Sequence, residues 1–341
     1  MELRNLGSSG LKVSALSLGA MTFGESQTFM KGVTSSDAEG RAVFDRAVER
    51  GVNLVDTANV YGEGRSEELT GQWIAGKRDK VLLATKCRFP IGFGLTATPG
   101  PHDMGLSRQH IVRACEDSLR RLATDVIDLY QVHMQDTSVR IDETLRALDD
   151  LVRQGKVRYV GCSNYTGYRL VESLWASERL RTVRFESHQL QWNLLERGAE
   201  REMLPACRAF GLGVLVWSPL ASGFLSGKYQ KGKPLPEGAR LSEWKDSFAR
   251  LGVERSWAVV DAVVELAKKH DTSPAAVALA WLLAKKETSS VILGARTVAQ
   301  LDDNLRALDV KLAPEEVQEL DKVSKPDWGY PYGFIGRTQP W

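Results

Sequence analysis

A single α/β domain folded as a (β/α)8 barrel is what this chain predicts, on three observations. Short apolar runs of strand character alternate with longer stretches of helical period from end to end, eight times over. The 341 residues, 43% of them apolar, suffice for one large α/β domain with a full core. Ionisable residues recur where the apolar runs end, which is where an active site at one mouth of a parallel barrel draws its groups.

The elements follow in order. Residues 3–6 and 11–13 flank Gly7-Ser8-Ser9-Gly10, so residues 1–13 are expected to form a hairpin closing the bottom of the barrel. The β-rich runs place the eight strands at 14–19, 53–57, 81–86, 126–132, 157–162, 184–190, 212–218 and 289–294. Helical periodicity places the intervening helices at 37–50, 66–76, 107–122, 141–154, 166–177, 199–210, 254–285 and 298–306. Ser273-Pro274 reads as an N-cap followed by proline at the first helical position, which divides 254–285 into two helices. Ala313-Pro314-Glu315 opens an extra C-terminal helix ending near Val323, and 324–341 is a tail dense in Pro, Gly and aromatics. Segments 87–106 and 219–253 are too long for plain connectors. Long loops after barrel strands are usually functional.

Composition narrows the class further. Lys and Arg number 45 against 43 Asp and Glu, a net charge of +2, so nothing points to nucleic acid or an anionic membrane as partner. Cys87, Cys115, Cys162 and Cys207 are widely spread without a Cys-x-x-Cys pair and read as reduced core thiols. The first residues lack an apolar signal core, and the most apolar helical stretch, 275–284, is short of the roughly 20 residues a membrane span takes. A soluble cytoplasmic protein is expected; oligomeric state is not legible.

Four residues suggest the chemistry. Asp56 ends one apolar run and Tyr61 lies five positions on; Lys86 ends the next run and His133 the one after. If these runs are neighbouring parallel strands, all four meet at one rim. A free phenol has a pKa near about 10, and an ammonium beside Tyr61 is expected to lower it toward the working range. Asp56 would keep the buried Lys86 charged, and His133 would donate a hydrogen bond to a substrate oxygen. Such a group suits protonating a carbonyl oxygen as hydride reaches its carbon. The plainer reading makes Asp56 a cap, Lys86 an ion-pair partner, Tyr61 a surface ring and His133 a core residue. Their common register with strand ends favours the catalytic one.

Two features are set aside. Gly92-Phe93-Gly94-Leu95-Thr96-Ala97 fits a G-x-G-x-x-A string, but Pro99-Gly100-Pro101 forbids the helix such a fingerprint must open. It is a loop whose Phe93 and Leu95 are candidates for a substrate pocket. His188 faces away from the rim and reads as structural, while His102, His110 and His270 show no pairing with carboxylates or cysteines that suggests a metal site.

The stretches Asp56-Thr57-Ala58-Asn59-Val60-Tyr61-Gly62, Leu83-Ala84-Thr85-Lys86, Ile127 to His133, Gly161-Cys162-Ser163-Asn164-Tyr165 and Trp217-Ser218-Pro219-Leu220 resemble the aldo-keto reductase family. The resemblance runs from Leu3 to about Val323. It implies a TIM barrel and NADPH-dependent reduction of an aldehyde or ketone, with Tyr61 as proton donor, Asp56 and Lys86 tuning it, and His133 positioning the carbonyl. It further implies that Ser163, Asn164 and Gln189 bind the nicotinamide carboxamide and that Trp217 stacks on the ring. The 219–228 segment looks like the family's pyrophosphate belt, which with the preceding Ser218 gives Pro219, Leu220, Ser222, Gly223, Leu225 and Lys228 as cofactor contacts.

After the last strand, Gly294-Ala295-Arg296-Thr297 meets the start of a helix, where free N–H groups and an arginine make an anion site. By resemblance Arg296 and Thr297 hold the adenosine 2′-phosphate, with Gln300 and Asn304 at the adenine, so NADP is favoured over NAD. Thr297 and Gln300 also match a capping box, which is compatible. The alternative function is an NADPH-binding regulatory barrel with little turnover, as in the potassium-channel β subunits of the same superfamily; the near absence of residues before the barrel gives it no extra partner-binding segment.

Overall fold

The structure is a computed structural model, described over residues 1–26, 30–92 and 98–336. An antiparallel hairpin, β1 (Leu3–Asn5) and β2 (Lys12–Ser14), comes first. Eight parallel strands then close into a barrel: β3 (Leu16–Gly19), β4 (Leu54–Asp56), β5 (Leu82–Cys87), β6 (Ile127–Val132), β7 (Val157–Ser163), β8 (Phe185–Gln191), β9 (Gly213–Trp217) and β10 (Thr288–Leu293), with β10 pairing back onto β3.

Each strand-to-strand step crosses a helix: α1 (Asp37–Glu49), α2 (Arg65–Ile74), α3 (Arg108–Leu122), α4 (Ile141–Arg153), α5 (Gly167–Leu180) and α6 (Met203–Phe210). Between β9 and β10 lie α7 (Arg240–Glu243), α8 (Lys245–Leu251), α9 (Glu254–Lys269) and α10 (Pro274–Leu283). α11 (Val298–Leu305), α12 (Pro314–Val323) and the short α13 (Tyr332–Ile335) complete the chain. Ser36, Ser107, Ser273 and Thr297 each accept a backbone N–H in the first turn of the helix they precede, so local chemistry starts these helices where the sequence indicates.

Two departures from expectation have simple causes. The helix expected over 199–210 begins only at Met203. Pro205 explains the delay, since in a helix begun at 199 it would sit in the interior without an N–H to give, whereas from 203 it falls in the first turn. The 219–253 segment holds α7 and α8, short helices whose weak periodicity is not visible in so glycine-rich a stretch.

The two-residue period of the strands sorts their side chains into two cores. Outward residues such as Val55, Leu83, Tyr130 and Val216 pack under the helices. Inward residues form layers. The lower layer, Leu54, Ala84, Leu129 and Leu215, rests on Leu6, Leu11 and Val13 of the hairpin, which closes the bottom as expected. The fit is tight: a Cβ on Gly213 would lie 2.6 Å from Leu6 Cδ1 and 2.7 Å from the Gly7 nitrogen. Two residues further along the same strands stand Asp56, Lys86, Gln131 and Trp217, joined by Gln189 of β8, so the barrel interior turns polar toward its C-terminal mouth. All four cysteines are buried and unpaired. No helix among the described residues is long and apolar enough to cross a membrane.

Candidate active site

The polar layer opens into a cavity of about 600 Å³ at the C-terminal mouth of the barrel. Asp56, Tyr61 and His133 border it, as do Ser163, Asn164, Gln189 and Trp217. Lys86 lies just beneath, fully buried. Its ammonium donates to Asp56 Oδ1 at 2.5 Å, to the Thr57 carbonyl at 2.8 Å and to the Tyr61 hydroxyl at 3.3 Å. The other Asp56 oxygen accepts from the side-chain amides of Gln189 at 2.8 Å and Gln131 at 3.0 Å. All three ammonium hydrogens of Lys86 and both oxygens of Asp56 are therefore matched, which an ion pair out of water requires.

Electrostatics corrects one expectation. Burial alone would discharge Lys86, but Asp56 and then Tyr61 raise its pKa above the ordinary lysine value, so it stays an ammonium. Tyr61, however, is raised rather than lowered: burial is the largest cause, and the charge of Asp56 opposes that of Lys86. The phenol is held protonated, the form an acid catalyst needs before it acts. His133 is driven well below its usual range by burial and by the positive charges of Lys86 and Arg88, so it is a neutral imidazole. Its ring stands edge-on to Tyr61 at 5.7 Å and to Phe89 at 5.1 Å, and its Nδ1 has no partner among the described residues.

The far end of the cavity is cationic. Pro219, Leu220, Ser222, Gly223 and Lys228 line one side and Gly294, Arg296, Gln300 and Asn304 the other. The backbone here is contorted, with φ of +52° at Ser218, +48° at Ala221 and +57° at Ser222, the kind of strain that clusters at binding sites. Gly223, at φ +87°, holds a left-handed conformation that would strain any side chain, and Lys228 Nζ packs 2.9 Å from where a Cβ would stand. Lys228 and Arg240 each have a lowered pKa, through lost solvent first and then the charge of Arg296. The described residues place no carboxylate in ion-pair contact with Lys228, Arg240 or Arg296.

Several sequence expectations need refinement. Leu225 is not on the cavity wall: its side chain is buried in the core beside Phe224, and its N–H bonds the Leu220 carbonyl. Thr297 is exposed and its hydroxyl caps α11 by accepting the Gln300 N–H, while Gln300 accepts from Arg296 N–H, one residue ahead of a regular capping box. Asn164, at φ +53°, donates to the His133 carbonyl and Ser163 Oγ. His188 is buried and accepts the Tyr165 N–H, and His270 does pair with a carboxylate, Glu316, at 2.9 Å. Phe93 and Leu95 fall outside the described residues.

Arg240 was missed, since nothing in a loop of 35 positions marks which cation turns inward. Met21 and Thr22 were missed although they follow β3, where the strand-end rule would have found them.

A parallel barrel with a buried acid–ammonium pair under a phenol, at the mouth where barrels carry their active sites, has the layout of a barrel enzyme. A model of the Aldo/keto reductase family matches residues 15–325, and the chain belongs to that family. It is similar to an uncharacterized oxidoreductase of Bacillus subtilis (39% identical, covering 95% of this chain and 96% of the relative) and to a putative aryl-alcohol dehydrogenase of Schizosaccharomyces pombe (36%, 94% and 95%). A probable voltage-gated potassium channel subunit beta of Arabidopsis thaliana is 37% identical over 96% of this chain and 98% of its own length. The chain is accordingly an oxidoreductase whose general chemistry is carbonyl reduction.

Proposed function

We propose that this protein reduces a small aldehyde or ketone to the alcohol using NADPH, with Tyr61 as proton donor. The observation that carries the reading is the buried relay in which Tyr61 Oη lies 3.3 Å from Lys86 Nζ and Lys86 Nζ 2.5 Å from Asp56. The residues fit the cofactor. Trp217 lines the cavity, with an indole N–H that has no partner among the described residues. The three cations at the far end form no ion pair with a carboxylate among the described residues.

Ser163, Asn164 and Gln189 would hold the carboxamide and Trp217 the nicotinamide face. The segment 218–228, with Ser222, Gly223 and Lys228, would hold the pyrophosphate. Arg296, Thr297 and Arg240 would take the 2′-phosphate, and Gly294, Gln300 and Asn304 the adenosine. When bound, the nicotinamide supplies hydride. As negative charge grows on the carbonyl oxygen, His133 donates a hydrogen bond and Tyr61 transfers its proton. Lys86 then stabilises the phenolate that remains. The same set run backward oxidises an alcohol.

The test is NADPH oxidation by purified protein over a panel of aldehydes and ketones. Tyr61→Phe is expected to cut turnover by about a hundredfold to ten-thousandfold, with NADPH affinity measured by tryptophan quenching unchanged within about twofold. Tight NADPH binding with no turnover on any carbonyl would overturn the enzyme reading. It would favour an NADPH-binding regulatory barrel with little turnover, the alternative in keeping with the similarity to a potassium channel subunit.

A further inference from the structure

Gln131 sits on β6, two residues before His133, fully buried in the polar layer and set back from the cavity wall. Its Nε2 donates to Asp56 Oδ2 at 3.0 Å, and its Oε1 accepts from Gln189 Nε2 at 3.2 Å. Gln189 gives its other N–H to the same Asp56 oxygen at 2.8 Å. Three side chains from β4, β6 and β8 thus close a ring beneath the cavity.

An amide nitrogen carries two hydrogens and no acceptor capacity. Both hydrogens of Gln189 are spent inside this ring, one on Asp56 and one on Gln131. The only atom Gln189 can turn to the cavity is its carbonyl oxygen, which accepts and cannot donate. Two partners in different directions also fix the plane of the amide, which one partner does not. Asp56 alone would leave Gln189 free to rotate about a single hydrogen bond.

We infer that Gln131 is a positioning residue: it locks Gln189 as an acceptor, so that the site grips a carboxamide by its N–H and ties that grip, through Asp56, to the ammonium beneath Tyr61. The inference rests on the NADPH reading above. Gln131 touches neither cofactor nor substrate; it acts through Gln189 and Asp56. The ring also explains why an amide occupies a position where the lower layer of the same barrel uses leucine: only a group that both donates and accepts can satisfy two unlike neighbours at once.

The test compares dissociation constants, by tryptophan quenching, for NADPH and its 3-acetylpyridine analogue, in which a methyl ketone replaces the carboxamide and no N–H remains. The wild type is expected to favour NADPH by about threefold to tenfold, the range for one neutral hydrogen bond. In Gln131→Leu the gap is expected to shrink to about twofold or less, chiefly through weaker NADPH binding, while a residue that only fills volume would leave it unchanged. Gln131→Glu keeps an acceptor toward Gln189 and, at mildly acidic pH, a proton to share with Asp56, since a carboxyl facing Asp56 resists ionisation even with Lys86 nearby. It is expected to retain the gap there, and it decides the matter if the leucine variant does not melt cooperatively. A gap undiminished in Gln131→Leu, or lost in Gln131→Glu even in acid, would overturn the positioning role alone. A wild type that binds neither dinucleotide would overturn the NADPH reading with it.

Discussion

A phenol buried beside both an ammonium and a carboxylate feels the two charges at once, and in Tyr61 burial and Asp56 together outweigh Lys86. The consequence is a defined pH profile. With Tyr61 as the proposed donor, reduction would need it protonated and Lys86 charged, and both pKa values lie above their ordinary values of 10.0 and 10.5. His133 titrates well below 6.5 and stays neutral above it. Carbonyl reduction, followed as kcat/KM for the carbonyl, is therefore expected to be level from about pH 7 to 9 and to fall only as alkali removes the proton from the Tyr61–Lys86 pair. A descending limb near neutrality would show that the phenol is acidified instead. At this scale the sequence was most readable where the strand period did the work. Asp56, Lys86 and His133 end strands, and Tyr61 follows one, so their meeting needed no knowledge of loops. Gln131 and Arg240 escaped notice because their roles depend on partners across the barrel, and sequence spacing says nothing about which of two amides faces a carboxylate.

At the scale of elements, the strands and most helices were legible because periodicity and caps agree, and the departures lie where neither rule reaches. Pro205 delays α6, and the belt from 219 to 253 is shaped by glycines and by contacts such as Arg296 Nη2 to the Gly238 carbonyl at 2.9 Å. One inter-element link predicts a stability effect. His188 on β8 is fully buried and accepts the backbone N–H of Tyr165, at the head of the turn into α5, at 3.3 Å. Acceptance at Nε2 requires the neutral ring, and burial lowers the pKa from 6.5 to about 4. The unfolded chain then binds this proton at higher pH than the folded one, so the associated stability is complete above pH 6.5 and is lost as pH falls toward 4. The loss is on the order of 3 kcal/mol over that window, at about 1.4 kcal/mol per pH unit. His188→Gln keeps an acceptor without a titration. Its urea-unfolding free energy is expected to decline less than that of wild type between those pH values, with the remaining slope shared by His133 and the carboxylates. Parallel slopes in the two proteins would disprove the link.

Across the whole molecule, the +2 net charge conceals a local concentration. Lys228, Arg240 and Arg296 converge from the belt and from the turn after β10 onto one end of the cavity, where lost solvent and then the charge of Arg296 lower the proton affinity of Lys228 and Arg240. Folding has gathered them at a cost in mutual repulsion, and a dianionic phosphate would relieve it. Each contact to a charged group is worth roughly 1.5–3 kcal/mol. Arg296→Ala is therefore expected to weaken NADPH by about tenfold to a hundredfold while leaving NADH within about twofold, since only the former carries the extra phosphate. Arg240→Leu should act in the same direction. Because these charges meet solvent at the cavity mouth, the preference for NADPH should also shrink as salt rises from about 0.01 M to 1 M, where the screening length falls from about 30 Å to 3 Å. Equal loss of NADPH and NADH affinity in Arg296→Ala would mean that the arginine braces the belt through Gly238 instead of meeting a phosphate. Retained discrimination in both variants would move the phosphate away from this cluster altogether, leaving the proton relay at the opposite end intact.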